Sequence, residues 1–276
     1  MWGKFASRVH PLPESVAGAS GPIILASRFA VCCSASAPCL DFAMRWPTPL
    51  IPGRLVRRYK RFLADVVLDG AGEVTVHCPN PGRMLGLDVP GARVWVSRAR
   101  NPARVLPLTL ELVESDGGLV GINTMHPNRL VEEAIIAGRI GELRDYEVIR
   151  REVRYDERCR IDLLLHRSGR PHCFVEVKNV HLKRSAGAEF PDAVTVRGAK
   201  HLGALARQVA EGARAVVVYV VQRTDCADFR IAADIDPIYA ASFVAALDGG
   251  VEAVCYACEL SLEGVRLAAP LPILLS

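Results

Sequence analysis

The sequence predicts an α/β protein, α+β overall, in which a small β-barrel precedes a larger α/β domain. Short β-rich segments separated by turns occupy the chain from Pro52 to about Asn123, and from Thr124 helices begin to alternate with strands. The chain has 276 residues, of which 50% are hydrophobic and 23% charged, so two modest globular domains can each bury a core.

The barrel is predicted from strand-forming segments that are bounded by turn residues such as Pro79-Asn80-Pro81-Gly82. Short strands packed this densely along the chain are typical of a closed barrel, and an OB-like fold is the natural candidate. Residues 44–123 are therefore assigned to an OB-like nucleic-acid-binding domain. Its aromatic residues Tyr59, Phe62 and Trp95 can either stack on bases or fill the core. The strand segments are Leu55–Leu68, Val74–His77, Arg93–Ser97, Val105–Val113 and Leu119–Ile122.

The second domain, residues 124–276, is predicted from alternating helical and extended patterns in the order α-β-β-β-α-β, with later additions. Ala215–Val221 is almost entirely β-branched, which is typical of a strand covered on both faces. The helices are Pro127–Ala137, Val196–Glu211 and Asp236–Leu247; the other strands are Tyr146–Tyr155, Arg160–Leu165, Cys173–Val180 and Val251–Glu259.

Residues 1–43 differ from the rest of the chain because they are rich in Ala, Ser and Pro and show neither helical nor strand periodicity. We interpret them as a disordered extension, or as sequence upstream of a true start at Met44. No apolar run reaches the length of a membrane span, so the sequence predicts a cytoplasmic protein without a membrane partner. Nine scattered cysteines favour a reducing compartment, and Cys255 and Cys258 are interpreted as two thiols of a late strand.

Positive charge is concentrated near the start of the barrel. The formal net charge is only +4, but residues 45–64 contain six basic side chains and no acidic one. Such a stripe suits a phosphate backbone, and a solvated face without a partner is the alternative. The candidate nucleic-acid-binding residues of this stripe are Arg57, Arg58, Lys60 and Arg61.

Two further segments carry candidate contacts to nucleic acid. The turn-forming loop after His77 presents Arg83. The segment before the second helix contains Asp192 and Thr195, either of which can cap the helix and leave its first turn facing an anion. Three basic candidates lie beside that helix start: Arg197, Lys200 and His201.

Paired carboxylates and a lysine form the candidate catalytic site. Asp162 lies within an apolar strand, where an ionised carboxylate needs a partner or a metal. On the next strand, Glu176 and Lys178 share one face because side chains alternate, and the Ser168–Pro171 turn brings the two strands together. Carboxylates and water hold Mg²⁺ or Mn²⁺, and a neighbouring lysine can stabilise a phosphoryl transition state.

The preceding helix offers Glu133 as a further acid, although spacing alone does not separate it from Glu132. A helix acid, a strand aspartate and Glu-x-Lys on the next strand resemble the PD-(D/E)xK nuclease superfamily. By themselves these short motifs also fit a cross-strand ion pair.

A wider set of motifs resembles the sugar fermentation stimulation protein family. The resemblance extends from about residue 45 to the C-terminus, with Cys159 standing where that family is expected to have Ser. It implies DNA binding and an OB-like domain joined to a PD-(D/E)xK restriction-endonuclease-like domain. Asp162 and Glu176 would then be metal ligands, and Lys178 and Glu133 catalytic residues. The motifs are LVRRYKRFLADV, HCPNPGRM, NTMHPNRLVEEAI, RIDLLL, VEVKNV, FPDAVTVRGAKHL and GVEA.

Two functions follow from the sequence. The first is a DNA-binding protein with a Mg²⁺- or Mn²⁺-dependent nuclease site, which the complete carboxylate–carboxylate–lysine set favours. The second is a non-catalytic DNA-binding regulator of sugar metabolism that keeps a vestigial site, which the family's description favours. Single-stranded DNA, duplex DNA and RNA all stay open as partners, and so does a homodimer.

Overall fold

The computed structural model describes residues 23–25, 44–101, 103–156 and 159–275. In these residues a β-barrel is followed by an α/β unit, which confirms the predicted fold class. Strands β1 (Ile23–Leu25) and β2 (Met44–Arg45) form opposite edges of the main sheet of the α/β unit. The rest of residues 1–43, interpreted above as an extension, lies outside the described residues.

Five strands close into the barrel, and a sixth extends its sheet. The parallel pairing of His77 with Thr109 joins the fifth strand of the chain to the seventh and completes the ring. Alternate side chains such as Val66, Val94 and Leu110 fill its interior, as expected for a small barrel. The strands are β3 (Ile51–Tyr59), β4 (Leu63–Leu68), β5 (Gly72–His77), β6 (Arg93–Arg98), β7 (Leu108–Ser115) and β8 (Gly118–Gly121).

The predicted strand Leu55–Leu68 is wrong as a single strand, because the chain reverses between β3 and β4. Lys60 and Arg61 take the left-handed conformation, with φ angles of 47° and 63°. Phe62 then donates its backbone N–H to the carbonyl of Lys60 at 2.7 Å. No Gly, Pro or Asn marks this turn, so the usual sequence signal for a reversal is missing.

The α/β unit has an eight-stranded main sheet in the order β1-β9-β10-β11-β14-β16-β17-β2 and a small sheet in the order β12-β13-β15-β18. The sequence did not predict the small sheet, because strands of two to four residues show no periodicity. The elements are α1 (His126–Ile136), β9 (Val148–Asp156), β10 (Cys159–His166), β11 (Cys173–Val180), β12 (Leu182–Arg184), β13 (Gly187–Phe190), α2 (Val196–Ala210), β14 (Arg214–Val221), β15 (Asp228–Ile231), α3 (Pro237–Asp248), β16 (Glu252–Leu260), β17 (Gly264–Pro270) and β18 (Ile273–Leu274).

Helices pack on both faces of the main sheet. Leu130 of α1 belongs to the same core layer as Val175 of β11, whereas Leu202 of α2 packs with Phe174 in the opposite layer. Neighbouring residues of β11 therefore face opposite layers, as the alternation of a strand requires. This alternation directs Glu176 and Lys178 to the same side as Phe174, toward α2.

The late strand β16 contains Cys255 and Cys258. Both are buried free thiols, as interpreted from the sequence, and burial raises the pKa of each. None of the helices in the described ranges combines the length and the apolar character that a membrane crossing requires.

Candidate functional site

Asp162 lies where β10 and β11 separate. The paired register of the two strands reaches from Leu165 opposite Cys173 to Leu163 opposite Val175. Past that point Asp162 Oδ2 accepts the backbone N–H of Val177 at 2.7 Å. Its Oδ1 accepts a hydrogen bond from Asn128 Nδ2 of α1 at 2.9 Å. A side-chain carboxylate thus takes the place of the β10 backbone as the partner of Val177 on this edge of β11, and it is fixed at the fork.

Glu176 is buried, with 4% of its surface exposed, and its two oxygens differ. Oε1 accepts hydrogen bonds from Lys178 Nζ at 2.7 Å and from His201 Nδ1 at 2.5 Å. Oε2 is buried and has no hydrogen-bond partner. An unpaired carboxylate oxygen in the interior is costly, and a cation is a ligand that can satisfy it.

The structure corrects the predicted role of His201 as a contact to nucleic acid. Its side chain is 6% exposed and lies against Glu176. Arg197 Nε donates to His201 Nε2 at 3.2 Å, so the imidazole hydrogen is on Nδ1 and points at the carboxylate. His201 is therefore a hydrogen-bond partner of the candidate site, whereas Arg197 is exposed.

The two carboxylates have different electrostatic environments. Burial, followed by the charge of Glu176, raises the pKa of Asp162 to about 6, and this outweighs its hydrogen bonds from Val177 and Asn128. Burial also acts to raise the pKa of Glu176, but the hydrogen bond from His201 and the charge of Lys178 outweigh it, and the pKa is lowered. Glu176 is therefore ionised at neutral pH, and its charge opposes ionisation of Asp162.

These residues fit a hard divalent cation. The two carboxylates repel one another, and one of them has a buried oxygen without a hydrogen bond. A positive ion would stabilise such a pair. Mg²⁺ is commonly held by one or two carboxylates, with water and phosphate completing its shell. In the part of the chain that the structure describes, no cluster of three His, Cys, Asp or Glu side chains is suited to a metal. Asp162 and Glu176 would therefore act as a two-carboxylate site.

Glu133 is not among the residues that hydrogen-bond to Asp162 or Glu176. It pairs with Arg129, one helical turn earlier, at 2.7 Å. Its neighbour Glu132 is buried and pairs with Arg151 of β9. The α1 side chain that reaches the site is Asn128, which sequence reasoning missed; it precedes the buried Glu132 by four residues and so shares its helical face.

The guanidinium of Arg58 donates hydrogen bonds to backbone carbonyls and is therefore not free at the surface. Its Nη2 donates to the carbonyls of Asn80 at 2.8 Å, Gly82 at 2.7 Å and Arg61 at 3.1 Å, and its Nη1 donates to that of Arg83 at 3.4 Å. It thereby joins the turn Lys60–Phe62 to the loop Asn80–Arg83. We call these two joined segments the basic ridge.

We expect Arg58→Ala to lower the free energy of unfolding by about 2 kcal/mol, because several charge-assisted hydrogen bonds are lost together. Lys60→Ala, which removes an exposed charge from the same ridge, is the matched control and should leave stability unchanged within about 0.5 kcal/mol. Urea unfolding measures both. Equal stability of the two variants would contradict the structural role of Arg58.

The other predicted basic residues are at the surface. Arg57 is largely exposed and pairs with Asp65 at 2.8 Å, above the ring of Tyr59. The exposed basic residues of the basic ridge and of α2 are Lys60, Arg61, Arg83, Arg197 and Lys200.

The start of α2 is connected to the basic ridge. Thr195, one of the two predicted caps, accepts the N–H of Gly198 at 3.1 Å. Asp192, the other, does not cap; it accepts the backbone N–H of Met84 at 3.1 Å and lies 3.4 Å from His181 Nε2. The barrel loop that carries Arg83 is thus bonded to the segment that leads into α2.

Fold and site together define a two-domain protein in which an OB barrel is joined to an α/β domain with paired carboxylates and a lysine. Residues 56–122 match the family model of the SfsA N-terminal OB domain, and residues 125–264 match that of the sugar fermentation stimulation protein RE domain. The chain belongs to the sugar fermentation stimulation protein family, which confirms the resemblance noted in the sequence.

Individual relatives agree with this assignment. The sugar fermentation stimulation protein homolog of Paramagnetospirillum magneticum is 58% identical over 228 residues, covering 83% of this chain and 97% of the relative. The homolog of Rhodospirillum centenum is 61% identical over 225 residues, covering 81% and 97%. Among solved structures, Pyrococcus furiosus SfsA in complex with Ca²⁺ matches with a TM-score of 0.77 and 26% identity, covering 85% of this chain and 99% of that one.

Proposed function

We propose that this protein binds DNA and hydrolyses its phosphodiester bonds at a divalent-cation site formed by Asp162, Glu176 and Lys178. The observation that carries the proposal is the buried pair of carboxylates beside a lysine, in which Glu176 Oε2 has no hydrogen-bond partner. The family relative from Pyrococcus furiosus was solved in complex with Ca²⁺, which supports a divalent cation in a protein of this fold.

Each residue has a distinct role in this proposal. Asp162 and Glu176 would hold Mg²⁺ or Mn²⁺, which supplies Lewis acidity and lowers the pKa of bound water. Lys178 is mostly buried, and its Nζ lies 2.7 Å from Glu176, so it can donate to a phosphate oxygen placed at the carboxylates. His201 and Asn128 keep the two carboxylates oriented. Glu133, on the same helix as Asn128, stays a predicted catalytic acid.

DNA binding is assigned to the exposed cations of the barrel and of α2. Lys60, Arg61 and Arg83 lie on the basic ridge, and Arg197 and Lys200 lie on the first turns of α2. Because the ridge is bonded to the segment before α2, both groups can contact one phosphate backbone.

A second function, a non-catalytic DNA-binding regulator of sugar metabolism, is favoured by a specific observation. Both oxygens of Asp162 and one oxygen of Glu176 already accept hydrogen bonds from protein donors. A carboxylate pair that protein donors largely satisfy can persist as a structural remnant without binding a cation.

The two functions are separated by incubating the full chain with labelled single-stranded and duplex DNA in Mg²⁺, Mn²⁺ or EDTA. The nuclease proposal expects cleavage that EDTA abolishes, together with binding that weakens steeply as salt rises. Binding without cleavage in either metal would support the regulator. A chain that neither binds nor cleaves DNA would refute both.

A further inference from the structure

Phe62 is a large aromatic side chain that the barrel leaves exposed. It ends the turn of the basic ridge and has 47% of its surface accessible. Its ring stacks on that of His77, with centroids 6.5 Å apart and planes inclined by 15°. Arg104 Nη2 lies 3.3 Å from His77 Nδ1 on the same part of the barrel. An aromatic pair with an adjoining cation therefore lies at the barrel surface.

The backbone that carries Phe62 is held by a hydrogen bond at the end of β5. The backbone carbonyl of Phe62 accepts the N–H of Cys78 at 2.8 Å, which fixes the turn to the end of β5. Burial and the charge of Arg104 lower the pKa of His77, so its imidazole is neutral at physiological pH. A preordered platform loses little conformational entropy when a ligand binds to it.

The other two aromatic candidates of the barrel are engaged elsewhere. Trp95 is 7% exposed and belongs to the core between the barrel and the main sheet. The hydroxyl of Tyr59 donates to Asp65, and its ring lies under the guanidinium of Arg57. Of the three, Phe62 is the one whose side chain is exposed.

We propose that Phe62, backed by His77, is a stacking site for an unpaired base, so that the DNA recognised is single-stranded. The exposed cations Lys60 and Arg61 stand immediately before it in the turn and can hold the flanking phosphates. Paired bases in a duplex are stacked on one another and do not offer a free face to such a ring. This inference rests on the proposed DNA binding and names its substrate class.

The basic ridge that carries Phe62 is connected to the segment that leads to the cation site. Arg58 joins the turn to the loop of Arg83, and the next residue, Met84, is bonded to Asp192 before α2. On α2, His201 contacts Glu176. One bonded series of segments therefore leads from the stacking site to the carboxylates.

The test measures binding of the full chain, in EDTA, to a fluorescent thymine 20-mer and to a mixed-sequence duplex of about the same length. We expect wild type to bind the single strand more tightly than the duplex. Phe62→Ala should weaken single-strand binding about tenfold and duplex binding less than twofold, because a stacked base is lost. Phe62→Trp, which keeps an aromatic ring, should bind the single strand about as tightly as wild type. Val67→Ala, which truncates another exposed side chain of the barrel, is the matched control and should change neither affinity.

Each outcome decides the inference, and thermal melts of all variants confirm that they fold. Unchanged single-strand affinity in Phe62→Ala, or a wild type that prefers the duplex, would overturn single-strand recognition and leave the proposed DNA binding intact. Failure of wild type to bind either DNA would overturn both. Reversing Lys60 and Arg61 to glutamate should weaken both DNAs, which distinguishes phosphate contacts from stacking.

Discussion

Replacing Lys178 with alanine should reduce cation-dependent cleavage of DNA by about a hundredfold to a thousandfold while leaving DNA affinity close to wild type. The Lys178 side chain is 14% exposed and its ammonium group lies against Glu176, whereas DNA binding is assigned to exposed cations. Removing a positioned donor to the reacting phosphate raises the barrier of the chemical step, and such losses are typically of this size. Single-turnover cleavage at saturating protein measures the step directly.

Lys200→Ala is the matched control for this experiment because it removes the same charge from an exposed position of α2. It should weaken DNA binding modestly and leave the single-turnover rate unchanged once the protein saturates the DNA. Cleavage by Lys178→Ala at the wild-type rate would remove the lysine from the proposed chemistry, provided that its melting curve shows a folded protein.

Asp162→Asn should abolish binding of divalent cations and stabilise the cation-free protein at alkaline pH. The pKa of Asp162 is about 6 in the folded protein, above its ordinary value of 3.8, because of burial and the charge of Glu176. A raised pKa in an acid means that the folded state holds the proton more tightly than the unfolded state. The stability that Asp162 contributes is thus complete below pH 3.8 and is lost as pH rises through about 6.

At pH 8 the ionised Asp162 therefore costs the cation-free protein about 3 kcal/mol, which asparagine would remove. Urea unfolding of wild type and Asp162→Asn at pH 8 measures this cost, which should be smaller at pH 5, and calorimetric titration with Mn²⁺ measures cation affinity. Asp69→Asn, an exposed acid in a barrel turn, is the control and should alter neither quantity. Wild-type Mn²⁺ affinity in Asp162→Asn, or identical unfolding of the two proteins at pH 8, would contradict the site.

The alternation of apolar and polar residues predicted the core of the site from sequence. It gave the limits of β11 and placed Glu176 and Lys178 on one face, and the Ser168–Pro171 turn predicted the hairpin that brings Asp162 close. The electrostatic effect of Glu176 on Asp162 agrees with that juxtaposition. These features depend on local periodicity, which a single sequence contains.

Contacts between distant elements were not predictable in the same way. His201 was predicted to contact nucleic acid together with Arg197 and Lys200 at the start of the second helix, yet His201 is buried, as are Leu202 and Leu205. That buried stripe was the signal that could have placed His201 inward. Arg58 gave no such signal, since its partners are backbone carbonyls of loops 3 to 25 residues away in the chain.

The most direct test of a shared cation at Asp162 and Glu176 is a crystal of this protein soaked in Mn²⁺, with diffraction recorded for the anomalous signal of manganese. We expect one strong anomalous peak within coordination distance of a carboxylate oxygen of each residue, and its loss in a crystal of Glu176→Gln. A peak that contacts only one of the two carboxylates, or no peak between β10 and β11, would contradict the proposed site.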